Sequence, residues 1–155
     1  MKFIVINRAT AEFMDRCAQC ELEIVPENLR KNGGTLNYYN LTYQSDFLIL
    51  CMQGDEPVGF CSLVILDKQG LYVYQIAVKK EYQRMGIGAE MVGMTKQLAS
   101  DLGIDASAHV MAYNIGSQRT FEKCGFIKNI EYSSEDEYYY QYRVLVNELD
   151  SRKKD

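Results

Sequence analysis

The sequence has no basic excess. Its 17 lysines and arginines face 21 aspartates and glutamates, a formal net charge of −4. General nucleic-acid binders carry a basic surplus, so that class of partner is excluded. Long apolar runs are missing too. The longest, Phe47–Met52, is far too short for a bilayer span, and no membrane partner is expected. The first residues hold one lysine and an apolar stretch that Asn7 and Arg8 interrupt, unlike a signal peptide. Cysteine occurs five times, an odd number that leaves no complete disulfide framework. Reduced thiols and a cytoplasmic location are expected. Cys17-Ala-Gln-Cys20 has no second cysteine or histidine pair beside it. No metal site is therefore expected, and core packing accounts for both thiols.

What is present is a globular chain. At 155 residues, 47% hydrophobic and 25% charged, it has the length of one domain with its own core. No repeat or linker divides it, so residues 1–155 are expected to form a single mixed α/β domain.

Phe3–Ile6 reads as a short strand. Thr10 is a candidate helix cap, with Glu12 and Asp15 in the first turns. Phe13, Cys17, Cys20 and Ile24 form one apolar helical stripe. Pro26 suits the start of a second helix, through Leu29 toward Tyr38-Tyr39. Phe47–Met52, Val58–Leu66 and Leu71–Val78 are strands separated by turn residues, an antiparallel meander. Ile87, Met91, Met94, Leu98 and Leu102 then mark an amphipathic helix that Gly103 stops. Ala106–Tyr113 follows as a strand, making a parallel crossover. A short helix, Ser117–Cys124, ends at Gly125. Two more strands, Phe126–Tyr132 and Tyr138–Val146, flank the acidic turn at Ser133–Glu137.

The segment that carries chemistry is Gln83-Arg84-Met85-Gly86-Ile87-Gly88-Ala89. Two glycines where a helix begins let a ligand approach the backbone. A helix start also offers N–H groups without intrahelical partners and a positive dipole end, the elements of a phosphate cradle. Lys79, Lys80 and Arg84 oppose only Glu81 nearby, a local reversal of the chain's charge. A P-loop is excluded because Ala89-Glu90 follows Gly88. A dinucleotide fingerprint is excluded because Met91 stands where its third glycine belongs, and His109–Asn114 contains no acid. The alternative is a glycine-rich helix start with no ligand.

The Gln/Arg-x-x-Gly-x-Gly/Ala pattern after a strand ending at Val78 resembles the acyl-CoA-binding motif of the GCN5-related N-acetyltransferase (GNAT) superfamily. A second element agrees. Asn114-x-x-Ser117-x-x-x-Phe121-x-Lys123-x-Gly125-Phe126 is similar to that family's Asn-x-x-Ala-x-x-x-Tyr-x-Lys-x-Gly-Phe segment. The order of elements matches along nearly the whole chain. The resemblance implies the acyl-CoA N-acyltransferase fold, an α/β (α+β) architecture. Its mixed sheet is mostly antiparallel, with one parallel, splayed pair, Leu71–Val78 and Ala106–Tyr113, flanked by helices. It implies acetyl-CoA as co-substrate, its pantetheine arm between that pair of strands. Backbone groups of Ile76, Ala77 and Val78 would hydrogen-bond the arm and polarise the thioester carbonyl, as an oxyanion hole does. The N–H groups of Arg84, Met85, Gly86, Ile87, Gly88 and Ala89, with Gln83 ahead of them, would hold the pyrophosphate. Asn114, Ser117 and Phe121 would flank the arm. An amine would attack the thioester directly in a ternary complex.

Phe121 stands where the family usually has the tyrosine that protonates the leaving thiolate, and phenylalanine donates no proton. A thiol has a pKa of about 8.5, so thiolate leaves tolerably at neutral pH. An alkylamine resembles lysine, at about 10.4. About one molecule in 2,500 is then neutral at pH 7, a handicap of ~4.6 kcal/mol. A base matters more than an acid. Tyr113, Tyr142 or water are the candidates for the acid. His109, the single histidine, lies where the ribosomal-protein-acetylating branch of the family has a glutamate base, and imidazole suits that role. The alternative is a histidine packed inertly on a strand face.

Glu12, Asp15, Glu21, Glu23 and Glu27 face only Arg16. They suggest an acidic mouth for a cationic amine, or else a solvated helix face. Tyr38, Tyr39 and Tyr43 are candidates for an acceptor pocket. Tyr138–Tyr142 suggests a strand with rings on both faces and a homodimer contact. The first function is amine acetylation from acetyl-CoA. The second is a catalytically silent acyl-CoA-binding or regulatory protein, which Phe121 favours. The third is an interaction module built on the tyrosine-rich strand.

Overall fold

A computed structural model describes residues 1–25, 41–134 and 139–146. The expected helix at Pro26, Glu27, Tyr38, Tyr39, the turn residues 135–137 and Tyr138 lie outside them. The elements in chain order are β1 (Lys2–Asn7), α1 (Phe13–Glu23), a short α2 (Leu41–Gln44), β2 (Phe47–Gln53), β3 (Glu56–Leu66) and β4 (Gly70–Val78). A 3₁₀ turn at Lys80–Tyr82 leads to α3 (Ile87–Leu102), β5 (Ala106–Met111), α4 (Ile115–Lys123), β6 (Ile127–Ser134) and β7 (Tyr139–Val144). The strands form a mixed seven-stranded sheet in the order β1-β2-β3-β4-β5-β7-β6. None of the described helices is long and apolar enough to cross a membrane.

The chain divides into two compact units, Met1–Val64 with Tyr74–Met91, and Ile65–Val73 with Val92–Asp155. In the first, β1 and β3 flank β2 in antiparallel register. Two residues, Gly54-Asp55, join β2 to β3, and Gly54 takes the positive φ (62°) that so tight a hairpin needs. The stripe Phe13, Cys17, Cys20 and Ile24 is buried against Ile6, Leu48, Leu50, Met52 and Phe60. Thr10 is not the cap of α1. The helix begins at Phe13, and Thr10 instead accepts Phe13 N–H through its carbonyl in a turn, at 3.0 Å.

In the second unit the first residues of β4 run parallel to β5, with Leu71 opposite Ala106, Tyr72 opposite Ser107 and Val73 opposite Ala108. β5 pairs antiparallel with β7, and β7 with β6. Asp105 fastens this end of the unit. Its carboxylate accepts Arg143 Nη2 at 2.7 Å and Val146 N–H at 2.7 Å, and its carbonyl accepts Leu71 N–H at 2.8 Å. Lys96 of α3 donates to the carbonyl of Cys124, just past α4, at 2.7 Å.

The helix bounds at Ile87 and Leu102 match the periodicity, and Gly103 ends the helix with φ 71°. The buried face is rotated from the expected stripe. Ile87, Met91, Val92, Thr95 and Ala99 are buried, Met94 and Leu98 are half-buried, and Leu102 is 42% exposed. Small residues at 95 and 99 supply the close-packing side, a signal that apolar spacing alone does not carry.

Candidate functional site

Within the first unit, the turn between β4 and α3 has the backbone of an anion-binding loop. Arg84 (φ 65°) and Gly86 (φ 79°) both take the left-handed conformation, uncommon for a side-chain-bearing residue. Alternating hand turns successive N–H groups toward one side. The first helical hydrogen bond of α3 runs from Glu90 N–H to Gly86 O at 3.0 Å, which sets Ile87 and Gly88 in the stretch ahead of the ladder. Gln83, Arg84, Met85 and Gly86 are exposed, Gly88 and Ala89 are half-buried, and Ile87 is buried. A Cβ on Gly86 or Gly88 would meet nothing within 4 Å. Gly86 is required by its φ. Gly88 has no steric reason to be glycine within the protein, and the space beside it suits a ligand.

The side chains of this stretch brace the loop. Gln83 Nε2 donates to the Val78 carbonyl at 3.0 Å, tying the loop back to β4. Lys79 N–H donates to Val58 O at 2.8 Å. Gly59, next to Val58, lets Ile87 approach β3, since a Cβ there would lie 3.3 Å from Ile87 Cγ2. Lys79 pairs with Glu56 at 2.5 Å, and the hydrogen bond to that carboxylate pushes its pKa up. The local positive excess is therefore smaller than the sequence suggests, because Glu56 arrives from β3. Ile76, Ala77 and Val78 are half-buried at the end of β4.

In the second unit, Asn114 caps α4, accepting Ser117 N–H on Oδ1 at 3.1 Å. The helix accordingly starts at Ile115, ahead of the expected Ser117. β5 ends at Met111 because Asn114 N–H turns back to Met111 O at 2.9 Å. This places Tyr113 in a turn, 77% exposed. Phe121 is 2% exposed, its ring 5.2 Å from Phe126 and 6.3 Å from Tyr142. Tyr142 is buried too, and burial together with the Glu122 carboxylate raises its pKa.

His109 pairs across the ladder with Gln141, so it points to the sheet face opposite Ala108 and Tyr142. It is exposed, yet two rings flank it: Tyr72 at 5.2 Å, edge-on, and Tyr139 at 4.9 Å, tilted. Partial desolvation lowers the imidazole pKa from 6.5. No motif in the sequence marks either tyrosine as a neighbour of His109. The signal was there in strand alternation, which sets Tyr72 on the face away from Leu71 and Val73.

The thiols of α1 take no part. Burial pushes Cys17 up to about 11 and Cys20 still higher, so neither is a nucleophile at neutral pH. Of the acids on α1, Glu12 pairs with Arg16 at 3.3 Å and Glu21 accepts Leu41 N–H at 3.1 Å.

Comparison with known proteins agrees on one family. Residues 9–126 match the acetyltransferase (GNAT) family. A curated relative, GCN5-related N-acetyltransferase 7, chloroplastic, from Arabidopsis thaliana, is 25% identical over 122 residues, 78% of this chain. The chain spans only 41% of that relative's length. Among solved structures, a GNAT-family acetyltransferase from Staphylococcus aureus superposes with a TM-score of 0.67 at 13% identity, over 94% of this chain and 99% of that one. A Bacillus subtilis acetyltransferase solved in complex with CoA superposes with a TM-score of 0.64 at 19% identity, over 93% of this chain and 99% of that one.

Proposed function

Since the chain belongs to the acetyltransferase (GNAT) family, we propose that it transfers an acetyl group from acetyl-CoA to an amine. One observation carries this reading: the loop before α3 combines left-handed backbone at Arg84 and Gly86 with open space beside Gly88. That is a cradle for a diphosphate. Arg84 to Ala89 hold the pyrophosphate, with Gln83 fixing the loop to β4. Backbone groups of Ile76 to Val78 hold the pantetheine arm and polarise the thioester carbonyl. Asn114 and Ser117 at the start of α4 flank the arm, and Phe121 supports that wall. The amine nitrogen attacks the carbonyl carbon, the C–S bond breaks, and CoA leaves as thiolate. His109 takes the proton the amine loses. Tyr113 is the candidate to protonate the thiolate, since Phe121 has no hydroxyl and the Tyr142 hydroxyl lies by Glu122. The acids of α1 favour a cationic acceptor. The reading takes residues 1–155 as one catalytic domain, and the five free thiols suit a cytoplasmic setting.

A second reading keeps the cofactor and drops the chemistry. Phe121, nearly fully buried without a hydroxyl, favours it. Calorimetry with acetyl-CoA tests the cradle. Release of free thiol on adding polyamines, amino acids, aminoglycosides or peptide N-termini tests the transfer. Binding followed by thiol release supports the enzyme. Binding without release for any amine favours the silent protein, and no binding removes both.

A further inference from the structure

The surroundings of His109 are more specific than a base on a strand requires. On the same sheet face stand Tyr72 from β4, Ser107 and Met111 from β5, and Tyr139, Gln141 and Arg143 from β7. Tyr72 meets the imidazole at 75° and Tyr139 at 36°. Both separations fall in the range of about 4.5–7 Å for paired rings. We propose that Tyr72 and Tyr139 are positioning residues for His109, the edge of one ring and the tilted face of the other holding the imidazole in one orientation on the open face of β5. This inference rests on the reading of His109 as the base that receives the acceptor's proton.

The two rings do two things. They restrict rotation of a short side chain that would otherwise sample several rotamers at an exposed position of β5. They also exclude water from part of the ring, which favours the neutral form, and only neutral imidazole accepts a proton. The charged groups on this face, among the described residues of β4, β5 and β7, are Arg143 and the Asp105 it binds. Arg143 reaches that carboxylate with Nε at 3.0 Å and Nη2 at 2.7 Å. Among the described residues, burial of the imidazole, and not a neighbouring carboxylate, is what lowers its pKa. A buried amide lies beneath them: Gln141, opposite His109, donates to Gln69 Oε1 at 2.5 Å, and Ser107 donates to Gln69 O at 2.7 Å. This network keeps the floor of the face fixed while the three rings stand above it.

The chain has one histidine, so a proton NMR titration of untagged protein reads this imidazole without assignment. Wild type is expected to titrate below 6.5. Tyr139→Ala and Tyr72→Ala should each move the midpoint up toward 6.5, while Tyr139→Phe and Tyr72→Phe, which keep the ring, should restore the wild-type midpoint. The acid limb of kcat/KM should follow the midpoint in each variant, measured with whichever of spermidine, tyramine or an alanine-initiated peptide turns over. In the Ala variants kcat should fall and the KM for acetyl-CoA should stay unchanged. If the Ala variants leave the midpoint where it was, the clamp is overturned and the base assignment survives. If the midpoint moves and the acid limb does not, His109 is not the base and the clamp has no catalytic meaning. Should an Ala variant fail to fold, Tyr→Leu, which keeps apolar volume without the ring, takes its place in the same titration.

Discussion

Two glycines of similar appearance in the sequence have opposite reasons to be there. Gly70 serves the fold. Its φ is 71°, and a Cβ on it would overlap the carbonyl oxygen of Asp105, the acceptor for Leu71 N–H. Gly70→Ala should cost about 2 kcal/mol or more, combining left-handed strain with displacement of a strand-end hydrogen bond. Urea unfolding reads it directly, and an unchanged midpoint would show that the turn relaxes. Gly88, under the proposed function, serves a ligand. Its Cβ position is open and its φ is ordinary. Gly88→Ala should leave stability unchanged or raise it by up to about 1 kcal/mol through helix propensity. It should weaken coenzyme A by tenfold or more, about 1.4 kcal/mol. Calorimetry beside the urea curve separates the two effects. In the sequence Gly70 reads as the end of a turn and Gly88 as part of a helix start. Which one faces its own backbone and which one faces open space depends on partners distant in sequence, and no local pattern encodes that.

At the scale of elements, what could be read from the sequence follows how strongly each segment is buried. β2 and β3 are apolar over most of their length because both faces are covered, and both were evident. α1 showed its stripe because one face alone is buried. Its start was misread, because a nearby threonine resembles a cap while a backbone turn does the work. α4 gives the reverse case. Asn114 stands in the sequence as part of a motif, and the hydrogen bond it accepts from Ser117 N–H makes it a cap. Asn114→Ala should therefore lower stability by about 1 kcal/mol, with Asn114→Asp recovering most of it. Thermal unfolding of the two variants side by side checks this, and equal losses would mean the side chain is not acting as a cap. Gly93 is exposed on α3 with nothing within 4 Å of a Cβ. Gly93→Ala should raise stability by about 0.5–1 kcal/mol, and it lies beyond the first turn, where the cradle is.

At the scale of the molecule, the fold was accessible from the sequence because two short motifs sat in the right order among elements of the right kind. The surroundings of His109 were not, because Tyr72, His109 and Tyr139 come from separate strands and meet only through sheet register. The most general consequence of the proposed function is a linkage. A ligand that binds only the folded chain stabilises it by about 2.7 kcal/mol at a hundred times its Kd. For a chain of this size that is a rise in Tm of about 5–10 °C. Wild type should show this rise with coenzyme A. Gly88→Ala, with affinity down tenfold or more, should lose about half of it or more at the same concentration, while its ligand-free Tm stays the same or rises. Gly93→Ala should start from a higher Tm and gain the full increment. The pattern across the three proteins matters more than any single shift. An equal rise in all three would move the ligand away from the start of α3, and no rise in wild type would remove coenzyme A from this protein's chemistry.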